Sequence, residues 1–202
     1  MKKILSLAVV IMYILTACSS KTSKELYESA EAKAKAGNYK DAIADYDKAI
    51  EKDTTINIVA IWHRGNTKTM VKDYQGAVSD YSIVIEKLPK NANAYMCRAT
   101  GERMLNNFAK AIADLDKAIQ YDSVNAKAYH LRGFCKMNTG NNEAFADLNK
   151  AISLDPKLTE AYLDRGQLYL KSGLTQEACA DLTMASQLGN SVAVELVKKN
   201  CK

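Results

Sequence analysis

Proline and glycine are scarce in this chain, two and nine among 202 residues, and tryptophan occurs once. A sandwich of many short strands needs frequent turn residues, so that class is excluded. The abundance of Ala, Lys, Leu and Asp favours helices instead. Charge of one sign is also lacking: the formal net charge is +5, and basic and acidic residues alternate along the chain, leaving no block for nucleic acid to contact. No Cys-x-x-Cys occurs, so neither a zinc ribbon nor a thioredoxin-like site is expected. A Gly-rich nucleotide loop, a metalloprotease helix motif and a nucleophile elbow are missing too. No catalytic residue and no cofactor is assigned, and the chain is not expected to be an enzyme. His63 and His130 are the two histidines, about two repeats apart in non-equivalent places, too few for a metal site. Apolar side chain is not in short supply: hydrophobic residues are 48% and charged residues 25%, the balance of a chain that can bury a core.

The chain opens with Met1-Lys2-Lys3 and an apolar run of 14 residues, Ile4 to Ala17. A spanning helix needs about 20 apolar residues, so this start reads as a secretory signal peptide over 1–17. Its end, Leu15-Thr16-Ala17-Cys18, resembles the lipobox of bacterial lipoproteins. That resemblance implies cleavage before Cys18, acylation of Cys18, and a lipid-anchored protein of the bacterial cell envelope. Ser19 in place of Asp points to the outer membrane, on its periplasmic or surface face. Loss of Lys2 and Lys3 brings the formal charge to +3. Thr22 and Glu25 have capping-box spacing, which predicts a helix starting just after Thr22. Residues 18–22 then form the tether, and the body sits within about 20 Å of the membrane.

The body repeats. Ala42-Ile43-Ala44-Asp45-Tyr46-Asp47-Lys48-Ala49-Ile50 recurs as Ala111-Ile112-Ala113-Asp114-Leu115-Asp116-Lys117-Ala118-Ile119, with weaker copies from Ala77, Ala144 and Ala178. The five starts are 35, 34, 33 and 34 residues apart. Gly65, Gly133 and Gly166, with Ala30 and Ala99, fill one small slot; Tyr39, Tyr74 and Phe108 fill an aromatic slot at a turn. This pattern resembles the tetratricopeptide repeat. The resemblance implies an all-α fold, a right-handed superhelix of five helix–turn–helix units (about 23–57, 58–91, 92–125, 126–158 and 159–190) with a C-terminal capping helix over 191–202. In the fourth unit Asn141-Asn142 replaces the aromatic and one residue is deleted, so its turn is expected to be the loosest.

Asp45, Asp80, Asp114, Asp147 and Asp181 occupy one slot of every second helix. Arg64, Arg98, Arg132 and Arg165 occupy one slot of every first helix but the first. These read as structural ion pairs at partly buried helix contacts. Each Asp can pair with the Arg of the next unit, leaving Asp181 over, or within its own unit, leaving Asp45 over; the first scheme is favoured, because Asp45 then has Arg64. Cys179 and Cys201 stand 11 residues either side of position 190, level in an antiparallel hairpin, and are the disulfide candidate. The tail also looks like the ends of other repeat lipoproteins. Cys97 and Cys135 read as two small buried thiols.

In arrays of this kind the first helices line a groove. The groove residues expected are Tyr27, Trp62, Asn66, Met70, Met96, Arg103, Met104, His130, Phe134, Met137 and Leu163. The Lys/Asn/Arg clamp that such domains use for a peptide C-terminus is absent, since its slots carry Tyr27, Trp62, His63, Met96 and Cys97. A groove rich in methionine suits an adaptable apolar partner. The expected function is a membrane-tethered scaffold or assembly factor binding a peptide or helix of another protein. A pilotin-like secretion or pilus factor, and an accessory that binds glycan for a surface system, are the alternatives; nucleic acid is not an expected partner. Replacing Trp62 and Phe134 with Ala is expected to weaken capture and leave helicity intact.

Overall fold

The computed structural model describes residues 21–52 and 57–201, the side chain of Asn57 excepted. The signal-peptide reading of 1–17 and the lipidation of Cys18 lie outside the described residues. Eleven helices and no strand are present among the described residues: α1 Ser23–Lys35, α2 Tyr39–Lys52, α3 Asn57–Met70, α4 Tyr74–Lys87, α5 Ala92–Met104, α6 Phe108–Tyr121, α7 Ala126–Asn138, α8 Ala144–Leu154, α9 Thr159–Lys171, α10 Thr175–Gln187 and α11 Ser191–Asn200. Consecutive helices pack as antiparallel hairpins, and each hairpin packs on the next. The odd helices also touch one another, α1 on α3, α5 on α7 and α7 on α9, so they form the inner layer of the stack. No helix of the described residues is long and apolar enough to cross a membrane.

Small residues set the hairpin spacing. Ala42, Ala77, Ala111, Ala144 and Ala178 are fully buried at the start of each even helix, and Tyr46, Tyr81, Leu115, Leu148 and Leu182 are buried four residues on. Burying one such Leu stabilises by about 1.5–3 kcal/mol, so this row carries much of the fold. The glycine slot is dictated by contact with it. A Cβ on Gly133 would stand 2.9 Å from Leu148 Cγ, and one on Gly166 2.9 Å from Leu182 Cγ.

Local signals start and stop the helices. Thr22 caps α1 in a capping box: its hydroxyl accepts from the Glu25 backbone N–H at 3.2 Å, and its own N–H donates to the Glu25 carboxylate at 2.7 Å. Asn91, Asn125 and Asn190 cap α5, α7 and α11 by accepting from Ala94, Ala128 and Ala193 at 3.1, 3.1 and 2.9 Å. Ala193 is fully buried, as Ala94 and Ala128 are. The closing helix α11 is thus built like the first helix of a sixth unit.

Every odd helix that opens a hairpin ends the same way. Gly37, Lys72, Asn106, Gly140 and Gly173 all have positive φ. The next N–H reaches back to a carbonyl five residues earlier, at 2.9, 2.9, 2.8, 2.9 and 3.0 Å (Asn38 to Lys33, Asp73 to Lys68, Asn107 to Glu102, Asn141 to Lys136, Leu174 to Tyr169). Lys72, at φ 63°, is the one side chain here with neither glycine's freedom nor asparagine's tolerance of this region. Lys72→Gly is expected to stabilise by about 1 kcal/mol, offset in part by glycine's looser unfolded chain. A rise in the urea midpoint at constant slope would show it; a fall would mean that the Lys72 side chain contributes more than its backbone costs. The fourth unit departs in its turn, where residues 139–143 separate α7 from α8 and α8 is only 11 residues long. The other hairpins have three connecting residues. Without an aromatic to pack under the turn, the next helix starts later.

Candidate functional site

The Arg and Asp rows form one device, and it is the second pairing scheme that the structure has. Arg64 donates from Nε and Nη2 to Asp80 at 2.9 and 2.6 Å. Arg98 does so to Asp114 at 2.8 and 2.6 Å, Arg132 to Asp147 at 2.8 and 2.6 Å, and Arg165 to Asp181 at 2.7 and 2.7 Å. The expectation that Asp45 pairs with Arg64 is corrected. Each fork is aimed at the even helix of its own hairpin, and Asp45 takes Ser29 and Lys33 instead, at 2.7 and 2.6 Å. The link between units is still there, made by the third nitrogen: Nη1 donates to Asp47, Ser82, Asp116 and Asn149, each on the even helix before, at 2.7, 3.1, 2.7 and 2.6 Å. One guanidinium therefore ties three helices, which a lysine's point charge could not do.

The electrostatics follow from these contacts. Hydrogen bonds donated to Asp114 and Asp181 hold the Arg98 and Arg165 guanidiniums above the ordinary arginine range. Burial pushes the Asp45 carboxyl up, but the bonds from Lys33 and Ser29 outweigh it, and the group lies below the usual carboxylate range.

The groove residues come from the odd helices. On α1 and α3, Tyr27 meets His63 edge-on at 5.8 Å, and His63 Nδ1 lies 3.1 Å from Glu31. Asn66 accepts a hydrogen bond from the Tyr81 hydroxyl at 2.7 Å. Between these helices is a cavity of about 410 Å³, whose lining includes Glu31, Tyr39, His63, Asn66 and Met70. Burial pushes the Tyr46 phenol beneath it up to about 12. On α5 and α7, Arg103 lies over the Phe134 ring at 5.2 Å from its centroid. His130 Nε2 lies 2.7 Å from Asp164 of α9, both largely buried.

The lining is mixed where a continuously apolar, methionine-lined groove was expected. Met70 and Met104 are 60% and 41% exposed. Met96 and Phe134 are half-buried against the core around Ala99, Leu115 and Cys135, and Trp62 against that around Ile61 and Val84. Trp62 also meets Tyr81 edge-on at 5.6 Å. Large side chains on the inner helices are drawn into the contact between units, because burial there gains more than exposure in an open groove. Met137 and Leu163 are half-buried.

Two features are not legible in the residue pattern. Asp164 stands in the slot that holds His63, Cys97 and Leu131 in other units, so no periodicity marks it as the partner of His130. Glu31, bound to His63 at 3.1 Å, lies four residues after Tyr27 on the same face of α1, and nothing in the residue pattern joins it to His63.

Cys179 is bonded to Cys201, with Cα atoms 5.6 Å apart. Cys97 and Cys135 are free thiols, half-buried and buried, and burial pushes each up to about 11.

Residues 126–158, the fourth hairpin, match the model of the tetratricopeptide repeat. The fold is a tetratricopeptide-repeat superhelix. A structure of MamA superposes with a TM-score of 0.72 at 25% identity, covering 79% of this chain and 93% of that one. YrrB, described as a TPR protein with an unusual peptide-binding site, superposes with a TM-score of 0.70 at 21% identity, covering 87% and 91%. Small glutamine-rich tetratricopeptide repeat-containing protein 2 of Saccharomyces cerevisiae is 34% identical over 80 residues, 40% of this chain. That match spans only 23% of the yeast protein's own length. The repeats support a protein-interaction scaffold.

Proposed function

We propose that this chain is a membrane-tethered scaffold or assembly factor that holds a peptide or helix of another protein along its odd helices, without chemistry of its own. The observation that carries this reading is the inner face itself. Met70 and Met104 stand exposed, one unit apart, and Met70 lines a cavity large enough for a side chain or two. Large apolar side chains exposed on the lining of a concave surface are the usual mark of a partner. The peptide-binding site named for YrrB adds to the case for a peptide. A glycan is less well served, since the aromatic rings meet one another edge-on or tilted and present few open faces.

Tethering rests on Leu15-Thr16-Ala17-Cys18 and the apolar run before it. We place the protein in a bacterial envelope, anchored through Cys18, with the outer membrane favoured by Ser19. Tritiated palmitate fed to cells is expected to label the wild-type chain and not Cys18→Ala. Equal labelling of both would sink the anchor.

Cross-linking in the native envelope followed by mass spectrometry identifies the partner. Met70→Asp with Met104→Asp then tests the groove. Trp62 and Phe134 are less suitable, because both pack against the core. The exposed methionines can be charged with little effect on folding, so the double variant is expected to keep its melting curve and lose at least tenfold in affinity. A partner held equally well by the double variant would move the binding surface elsewhere.

A further inference from the structure

The chain has five arginines, and four of them are spent on the Asp row. Arg103 is the fifth. It lies near the end of α5 on the groove side, and no carboxylate of the described residues is within ion-pairing distance of it. Its Nε is enclosed and has no hydrogen-bond partner. The guanidinium rests over Phe134 of the next unit, 5.2 Å from the ring centroid. Such stacking orients a guanidinium and leaves its donors in the plane free. The enclosed Nε is out of a ligand's reach, but the two terminal nitrogens are not enclosed and make no hydrogen bond among the described residues; a carboxylate offers that pair a two-pronged acceptor of opposite charge.

Resting on the groove reading above, we infer that Arg103, seated on Phe134, anchors a side-chain carboxylate: an Asp or Glu in the middle of the bound segment, flanked by apolar residues. The position argues for the middle of a segment over its end. α5 is the central odd helix of the five hairpins. The lining continues through Asn66 and Met70 on one side and through His130 and Glu160 on the other, so a chain end held at Arg103 would leave half the groove empty. The flanking residues are apolar because Met104 is exposed beside Arg103 and Met137 follows on α7. A phosphate is less well matched, since its second charge asks for a second cation. Arg132 and Lys136, two residues either side of Phe134 on α7, are already bound, Arg132 to Asp116 and Asp147 and Lys136 to Glu143 and Asp147.

The test is selection of binders from a displayed library of random 16-residue segments fused at both ends, using the full chain, followed by synthetic copies blocked at both ends. Selected segments are expected to share one Asp or Glu between apolar residues. Changing that Glu to Gln should weaken binding about tenfold. Arg103→Met should weaken the Glu peptide by a similar factor and abolish the Glu-over-Gln preference, with an unchanged melting curve. Arg103→Lys should restore part of the preference, and serves as the second variant should the Met form melt early. Segments that bind with no acid in common, or whose Glu preference survives Arg103→Met, overturn the inference and leave the groove standing. A preference for a free C-terminal carboxylate or for a phosphoserine overturns it as well. Segments whose binding ignores Met70→Asp with Met104→Asp would instead bring down the groove reading itself.

Discussion

Asp80→Ala is expected to destabilise the array by about 3–5 kcal/mol, the usual cost of stripping one partner from a buried ion pair. The Asp80 side chain is 2% exposed and faces two cations, the Arg64 fork and the Lys68 ammonium at 2.9 Å. Removing the carboxylate leaves both cations in a place from which water is largely excluded. Arg64 would keep only its bond to Asp47, which is 47% exposed and so lies in a well-screened setting. Asp47→Ala is therefore the control, with an expected loss of about 0–1 kcal/mol. The two carboxylates bind the same guanidinium at nearly the same distance, 2.7 Å at Asp47 and 2.6 Å at Asp80; what separates the two outcomes is burial, together with the second fork bond and the Lys68 ammonium that Asp80 also takes. Urea denaturation followed by circular dichroism measures both. Units in such arrays interact chiefly with their neighbours, so hydrogen exchange should show the loss concentrated in α3 to α5. Equal, small effects for the two variants would mean that the Asp row is solvated and does not hold the hairpins.

This device also shows how far a repeated sequence can be read. The rows of Arg and Asp were plain, as were the small residues that bring the helices together, because each recurs at one offset and its physical demand does not vary. The choice of partner was not. Spacing permits Asp45–Arg64 as readily as Arg64–Asp80, and only the direction of the fork decides. The answer lay partly in the polar residues two places beyond each Asp, namely Asp47, Ser82, Asp116 and Asn149, whose common role is to accept the third nitrogen. The left-handed turn position was hidden for a related reason. Its backbone demand is constant, but Gly, Lys and Asn all meet it at different costs. The groove was hardest. Whether a large side chain on an inner helix faces a ligand or the next unit depends on contacts between helices some 34 residues apart, as at His130 and Asp164. No pattern within one unit contains that information.

The second large effect is expected at the other end of the array. Cys201→Ser should lower stability by about 3 kcal/mol, the loop-closure value for a bridge of this span, since 22 residues separate Cys201 from Cys179. The loss should be local. α11 has ten residues, too few to persist as a helix without support. It is held by the Asn190 cap, the burial of Ala193 and the bridge. Between earlier units the even helix meets the next odd helix by packing, as where Val78 meets Gly101 so closely that a Cβ there would lie 2.8 Å from its methyl group. Among the described residues no further hairpin packs on α11, and a covalent bond holds it to α10. Hydrogen exchange should find the α11 amides fast in the variant and in wild type treated with dithiothreitol, with α5 to α8 unchanged in both. A melting midpoint that ignores reductant would show that packing alone holds the cap. The two free thiols give the bridge its meaning. Cys97 and Cys135 are pushed up to about 11 by burial and so stay protonated and poor at exchange. Once the chain is folded, the bridge is therefore safe from exchange with these two thiols, which suits a disulfide kept outside the reducing cytosol, as the proposed envelope location requires.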